Sequence, residues 1–269
     1  MNNASQPDQR QPDSVTIWQN LFNVLSSPRE VFEGIRQKVT WQDWVIPFVV
    51  IVLVSGVAGI LNAPYTLEMS KNITRAQEDR ILSRDMPQEQ REQISQRMEE
   101  QLEKQEQRYS PPGVYFWSFG GVTVRLALSL LILAGLYYFA GNTILGGEAA
   151  FPQLLAVVAL PQMVTVIQSV YNTVIMHLTG NAEVPSSLAV VLPYGAADVF
   201  RQERYQQALF TILSQIDLFT VWRLVLVTIG FGAIYQVSKG KATGVIFGYW
   251  ILWLLITATG AFLFAGMGM

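Results

Sequence analysis

Hydrophobic runs alternate with polar stretches along the chain, and five of the runs are long enough to cross a membrane. A membrane helix needs about 20 mostly apolar residues to span about 30 Å of hydrocarbon. The five runs occupy residues 44–63, 114–140, 151–178, 218–236 and 244–265. This pattern predicts an all-α membrane protein with five transmembrane helices.

Two amphipathic helices are predicted before the first span, within residues 14–43. In the first helix, apolar residues recur at the i, i+3, i+4, i+7 spacing of one helix face, as Trp18, Leu21, Phe22 and Leu25. The stretch 27–30, Ser-Pro-Arg-Glu, is typical of a second helix start, because Ser caps well and Pro suits the first turn. These helices either lie in the membrane interface near anionic lipid or pack on the helix bundle. Residues 1–13 are polar and are predicted to be a disordered tail.

The most polar segment, residues 64–113, is predicted to be an extramembrane helical hairpin. Each arm has a thin apolar stripe with a spacing of four residues, formed by Tyr65, Met69 and Ile73 and by Ile94, Met98 and Leu102. Such a thin stripe suits a seam between two helices better than a globular core. The hairpin carries 8 basic and 10 acidic residues, mixed along both arms. It is therefore either a solvated stalk or a surface on which a partner protein docks.

Residues 179–216 form an unusual connection between the third and fourth spans. The apolar stretch 188–192 is too short to cross a membrane, so it is either a re-entrant or a surface segment. An amphipathic helix is predicted to follow and to lead into the fourth span, with an apolar face of Tyr205, Leu209, Ile212, Leu213 and Ile216.

The distribution of charge excludes several classes of protein. Of 269 residues, 51% are hydrophobic, and 38 are charged. Residues 1–43 carry 9 of these charges and residues 64–113 carry 18. So uneven a distribution excludes an ordinary soluble enzyme, and a net charge of −2 does not suit nucleic-acid binding. With no cysteine and one histidine, neither a metal nor another cofactor is expected.

Four short motifs give the chain a family resemblance. They are LSSPREVF at residues 25–32, GGEAAFPQLL at 146–155, QIDLFTVWRLVL at 215–226 and KGKA at 239–242. With the order of the elements, these motifs resemble the Ypt-interacting protein (Yip) family, in its bacterial branch, over about residues 15–265. The resemblance implies five spans, a cytoplasmic N-terminus, and a C-terminus and hairpin on the far side of a bacterial cytoplasmic (inner) membrane.

Orientation is where the resemblance and the charge count disagree. With the N-terminus inside, six basic residues lie inside and ten outside, counting the hairpin with Arg201 and Arg204. The positive-inside rule taken alone therefore favours the opposite orientation. We adopt the orientation that the resemblance implies.

Five polar residues in or beside the spans are predicted to form an intramembrane cluster. A charge inside the membrane costs about 2.5–3.5 kcal/mol on insertion scales, so Arg125 is expected to find a partner or water. In a five-span topology the second and fourth spans start on the same side. The predicted cluster therefore contains Arg125, Asp217, Arg223, His177 and Asn172. It is an internal salt bridge, a site for a lipid headgroup or a solute anion, or a set of side chains that reach toward the headgroups.

Small residues and one proline are the expected determinants of helix packing. Pro161 is predicted to interrupt the third span, and Gly244 and Gly248 to permit close helix approach or a homodimer. The glycines of 56–59 and 230–232 are interpreted as packing glycines, because no nucleotide-binding context surrounds them.

The sequence carries no catalytic motif, so a non-enzymatic function is expected. The eukaryotic members of the Yip family bind Rab/Ypt GTPases and shape membranes, whereas bacterial members have no such assigned partner. The resemblance thus implies a membrane protein that organises membrane or recruits partners. The expected partners are membrane lipids, a protein bound through residues 64–113 or 14–43, and a second copy of the chain. The alternative is a small transporter or channel for an anionic solute or lipid.

Overall fold

The computed structural model describes residues 17–83, 85–183, 186–196, 198–199 and 202–264. The predicted tail at 1–13 lies outside these residues. The described part of the chain forms ten α-helical segments and no extended strand, apart from an isolated bridge between Ser187 and Asp217. The segments are α1 Ile17–Ser26, α2 Pro28–Gln37, α3 Gln42–Leu61, α4 Ala63–Leu82, α5 Gln88–Tyr109, α6 Gly113–Ile144, α7 Phe151–Thr179, α8 Arg204–Ser214, α9 Leu218–Tyr235 and α10 Lys239–Phe264.

Five of these helices, α3, α6, α7, α9 and α10, are long and apolar enough to cross a membrane. The predicted fold class, a five-span all-α membrane protein with amphipathic helices and an extramembrane hairpin, is confirmed. The third and fourth spans start where predicted, and the other three start one to five residues earlier, because a helix continues beyond the apolar run that identifies it.

The third span, α7, is the central helix of the bundle. It packs against α3, α6 and α9, and every side chain from Leu154 to Leu160 is buried. Ala156 and Ala159 in this run present little side chain, so neighbouring helices can approach closely. A helix that is apolar on all sides and enclosed by neighbours has no need of a polar face.

The regular helix of α7 is interrupted in its middle by a 3₁₀ turn at Leu160–Gln162. The cause is Pro161, which has no N–H to donate and whose ring crowds the carbonyl one turn earlier. Pro161 itself is fully buried, so the turn lies inside the bundle rather than at its surface. This turn brings the side chain of Gln162 to the start of the second half of the helix.

The first two spans approach each other closely through glycines. A Cβ atom added at Gly56 would overlap the ring of Phe119, and one added at Gly59 would lie 2.9 Å from the Ser118 hydroxyl. Gly230 of α9 similarly faces Phe32 of α2, where an added Cβ would lie 3.0 Å from the ring. The interpretation of these residues as packing glycines therefore agrees with the structure.

Both N-terminal helices pack on the bundle, and α1 also keeps an exposed apolar edge. Helix α2 packs on α9 and buries Val31, Phe32 and Ile35 in the core of the bundle. Helix α1 buries Leu21 and Val24 but leaves Trp18 and Phe22 exposed. The apolar stripe predicted for α1 is thus divided: one edge contacts the bundle, and the other is free to contact lipid.

The hairpin consists of α4 and α5, which run antiparallel as direct extensions of the first two spans. A single residue, Asn62, separates α3 from α4, and its amide donates to the Thr173 hydroxyl of α7 at 2.9 Å. The arms meet through Met98 and through polar contacts. Lys71 pairs with Glu106, and Gln105 donates to Thr74 at 2.9 Å.

The 179–216 connection lies at the end of the bundle where the fourth span begins. Leu188–Val191 forms a 3₁₀ turn, and the Leu188 N–H donates to the Ile216 carbonyl at 2.9 Å. Helix α8 then packs along α10, where Gln215 donates to Thr257 and accepts from the Trp253 indole. The short apolar stretch is therefore paired with the backbone just before α9.

Candidate functional site

Asp217 begins the fourth span and caps it. Its carboxylate accepts from the backbone N–H of Thr220 at 2.9 Å and from the Thr220 hydroxyl at 2.6 Å. The first N–H groups of a helix have no partner within the helix, so an acidic cap satisfies one and complements the helix dipole.

Arg223 connects the fourth span to the third. It is mostly buried between α7 and α9 and donates to Gln162 at 3.2 Å, to Thr165 at 3.4 Å and to Thr220 at 3.0 Å. Gln162 is presented by the 3₁₀ turn next to Pro161. The guanidinium thus has acceptors from both helices, which removes much of the cost of placing a charge in a membrane span.

Asp217 and Arg223 belong to one network, but they are not in direct contact. The Thr220 hydroxyl stands between them, donating to Asp217 and accepting from Arg223. The network therefore runs Asp217–Thr220–Arg223–Gln162, with Thr165 beside Gln162. It joins one acid, one base and three neutral groups, an arrangement that fixes two helices relative to each other.

Arg125 does not join this network, so the predicted cluster is wrong on this residue. Its side chain is exposed on the surface of α6, and it has no hydrogen bond or ion pair within the part of the chain that the structure describes. The position of a residue along a span predicts its depth in the membrane, but it does not predict the direction in which the side chain points. Its long apolar stem suits reaching along lipid toward the headgroups, which is the third interpretation given above.

His177 and Asn172 also lie apart from Arg223. The His177 Nδ1 lies 2.9 Å from the Thr173 carbonyl, and its ring meets the edge of Tyr65 at the base of the hairpin with a centroid distance of 5.0 Å. Asn172 lines a separate cavity of about 510 Å³ below the 179–216 connection, and its buried side-chain oxygen has no partner. The structure therefore unites only Asp217 and Arg223 of the five predicted residues.

Gly244 and Gly248 make no close contact between helices of one chain. Both are exposed, and a Cβ added at either would meet nothing within 4 Å. The predicted close helix approach is thus not found within the chain. A homodimer through this face remains a prediction.

Two polar side chains that the sequence did not single out hold the turn between the second and third spans. Asn142 binds both the N–H and the carbonyl of Ala149, at 3.1 and 3.0 Å, and accepts from the Tyr235 hydroxyl at 2.8 Å. Gly141 and Gly147 pack against the Tyr235 ring. The glycine-rich motif at 146–155 is therefore part of a structural joint with the end of α9.

Gln153 makes a second contact that was not predicted from the sequence, and this contact joins α7 to the N-terminal helices. Gln153, in the first turn of α7, donates to the carbonyl of Arg36 at 3.0 Å. The last carbonyls of a helix lack partners within it, so this amide satisfies the C-terminus of α2. A glutamine two residues into an apolar span was the available signal, because a partly buried amide is commonly hydrogen-bonded.

Asp217 makes the first testable prediction. Replacing it by Ala removes the cap of α9 and a partner of Thr220, and we expect a loss of about 2 kcal/mol in the free energy of unfolding. Replacing it by Asn should cost less than about 0.5 kcal/mol, because Asn caps as well as Asp. Denaturant unfolding of the two variants in the same detergent measures the difference. Equal losses would mean that the charge, not the cap, is what matters.

The architecture and the network define a class: a five-span α-helical integral membrane protein whose polar contacts join helices. The described residues include no group of three or more His, Asp or Glu side chains that could hold a metal ion. The model of the Yip1 domain family matches residues 22–261, so the chain belongs to this family. No significant match was found among curated proteins or among solved structures.

Proposed function

We propose that this Yip-domain protein is a non-enzymatic membrane protein that organises the membrane around it, with α1 acting as a wedge in one leaflet. The observation that carries this proposal is the division of the α1 surface. Leu21 and Val24 hold the helix on the bundle, while Trp18 and Phe22 are 58% and 72% exposed. An amphipathic helix in this position adds area to one leaflet only, which favours curved membrane.

The position of α1 along the bundle supports this function. Only fifteen residues separate its end from the start of α3, and α2 occupies most of them. Trp41, exposed at the start of α3, is the type of residue that is enriched at the membrane surface. Because α1 contacts α3 and the 3₁₀ turn of α7, the bundle itself fixes the position of α1.

A curvature assay tests this function. The labelled protein is reconstituted into vesicles of mixed diameter, and its density is measured on single vesicles. We expect the wild type to be enriched on small vesicles and the Trp18→Ser/Phe22→Ser variant to lose most of this preference. Val190→Ser/Val191→Ser is the matched control, since it removes two equally exposed apolar residues at the other end of the bundle. A wild type without any preference for small vesicles would overturn the proposal.

The proposed orientation follows the bacterial branch of the family, with the N-terminus in the cytoplasm and the hairpin and C-terminus outside. The chain has no cysteine, so single cysteines at Ser5, Gln96 and Gly268 can be labelled in intact cells with an impermeant thiol reagent. Labelling at Gln96 and Gly268 but not at Ser5 supports this orientation. The reverse pattern would support the charge count and place the hairpin in the cytoplasm.

A small transporter for an anion is the second candidate function. The favouring observation is Arg223, a buried cation beside the interruption of α7 at Leu160–Gln162, since interrupted spans often line substrate sites in transporters. Anion flux in proteoliposomes that Arg223→Gln abolishes, and Arg125→Gln leaves unchanged, would favour it. Arg125 serves as the control because it lies outside the network.

A further inference from the structure

An open groove of about 1030 Å³ lies between α2, α9 and α10. These three elements meet at the end of the bundle where α9 ends, at Tyr235, and α10 begins, at Lys239. The groove differs along its length. Arg36 and Lys239 lie at the end where α2 and α9 end and α10 begins, and apolar side chains of the fourth and fifth spans line the rest, together with Arg29 and Glu33.

The basic end has cationic groups without partners. Arg36 and Lys239 line it, are exposed, and have no side-chain hydrogen bond or ion pair within the described ranges of the chain. Arg29 and Glu33, one to two turns earlier on α2, line the deeper part of the groove and pair with each other at 2.7 Å. The basic end therefore has two uncompensated positive charges, which suits one anionic group with phosphate geometry.

The apolar end points toward the middle of the membrane. The lining residues of α9 run from Gln236 at the surface to Val225, a distance of about 16 Å at 1.5 Å per residue. One leaflet contributes about 15 Å of hydrocarbon. The wall of Val225, Ile229, Ala233 and Phe247 is therefore about as long as an acyl chain in a single leaflet.

We propose that this groove binds one anionic phospholipid, with its phosphate between Arg36 and Lys239 and an acyl chain along α9 and α10. Charge selects the headgroup, because a zwitterionic lipid brings a cation of its own next to its phosphate, and Arg36 and Lys239 would repel that cation. The apolar wall selects a lipid over a free phosphate, because a soluble anion would use only one end of the groove. This site goes beyond the proposed curvature function and does not depend on it: the exposed face of α1 is not part of the groove.

The test uses the purified full chain in a neutral detergent. Dioctanoyl phosphatidylglycerol is titrated, and its binding is measured from the rise in the unfolding temperature and from a one-to-one adduct in native mass spectrometry. Dioctanoyl phosphatidylcholine and inorganic phosphate are titrated in parallel. The groove variant is Arg36→Gln/Lys239→Gln. The matched control is Lys38→Gln/Lys241→Gln, which removes two exposed cations of the same region that do not line the groove.

We expect wild-type protein to bind phosphatidylglycerol saturably and to prefer it over phosphatidylcholine. The groove variant should bind about 10- to 30-fold more weakly, and the control variant less than about 2-fold. Equal binding of the two lipids, or equal weakening in both variants, would overturn the site. Stabilisation by inorganic phosphate alone, matching that of the lipid, would overturn the assignment to a lipid. The comparison of the two lipids on wild-type protein stays decisive if the groove variant does not fold.

Discussion

Gly141→Ala is expected to leave little folded protein. A Cβ atom at this position would overlap the ring of Tyr235. The ring cannot move aside cheaply, because its hydroxyl is bound to Asn142 and it also packs against Gly147. Asn142 in turn holds both polar groups of Ala149, so displacing Tyr235 disturbs the whole turn between the second and third spans. We expect a loss of at least about 3 kcal/mol, as for a severe overpacking of a core.

The yield of monodisperse protein in detergent and its unfolding temperature measure this effect. Gly135→Ala is the matched control on the same helix, since a Cβ there would meet nothing within 4 Å and should be neutral or slightly stabilising. Adding Tyr235→Ser to Gly141→Ala should restore part of the yield, because it removes the overlapping ring. No recovery in the double variant would mean that the overlap is not the cause.

Phe32→Ala should produce the second large effect. Phe32 is fully buried between α2 and α9, with its ring against Gly230. Removing a buried aromatic ring costs about 3–5 kcal/mol, and we expect about 3 kcal/mol here because α2 can move to fill part of the space. Since Phe32 is the largest buried side chain of α2 and lies against the fourth span, we also expect α1 and α2 to separate from the bundle more readily.

Unfolding in detergent and limited proteolysis after α2 measure the two consequences of this substitution. Phe22→Ala is the control: it removes the same side chain from a 72% exposed position on the neighbouring helix and should cost less than about 0.5 kcal/mol. If the two variants were equally stable and equally resistant to protease, the packing of α2 on α9 would contribute little to the fold.

The spans and the hairpin could be predicted from the sequence because the membrane leaves few alternatives. Backbone polar groups have no water to bind in hydrocarbon, so a long apolar run must be a helix. The same property limits what can be predicted within a span. Because the faces of α3, α6 and α10 are similarly apolar, no periodicity indicates which side faces the bundle. This is why Gly244 and Gly248 suggested a contact that the single chain does not make.

The polar network was predicted only in part, for a related reason. Asp217 and Arg223 lie on one helix, so their proximity depends on local geometry alone. Arg125, His177 and Asn172 lie on other helices, and their inclusion required the rotation of each helix about its axis, which depth does not provide. Asn142 and Tyr235 are 93 residues apart, and nothing in a single sequence links two such residues.

The hairpin extends the protein by a fixed length on one side of the membrane. Each arm is about 30 Å long at 1.5 Å per residue, so a large molecule approaching that surface touches the tip before it reaches the lipid. One residue separates α3 from α4 and three separate α5 from α6, and the two spans touch through Gly56 and Gly59. A sideways force on the tip would therefore act first on the base of the hairpin, where Asn62 bonds to Thr173 and Tyr65 packs on His177.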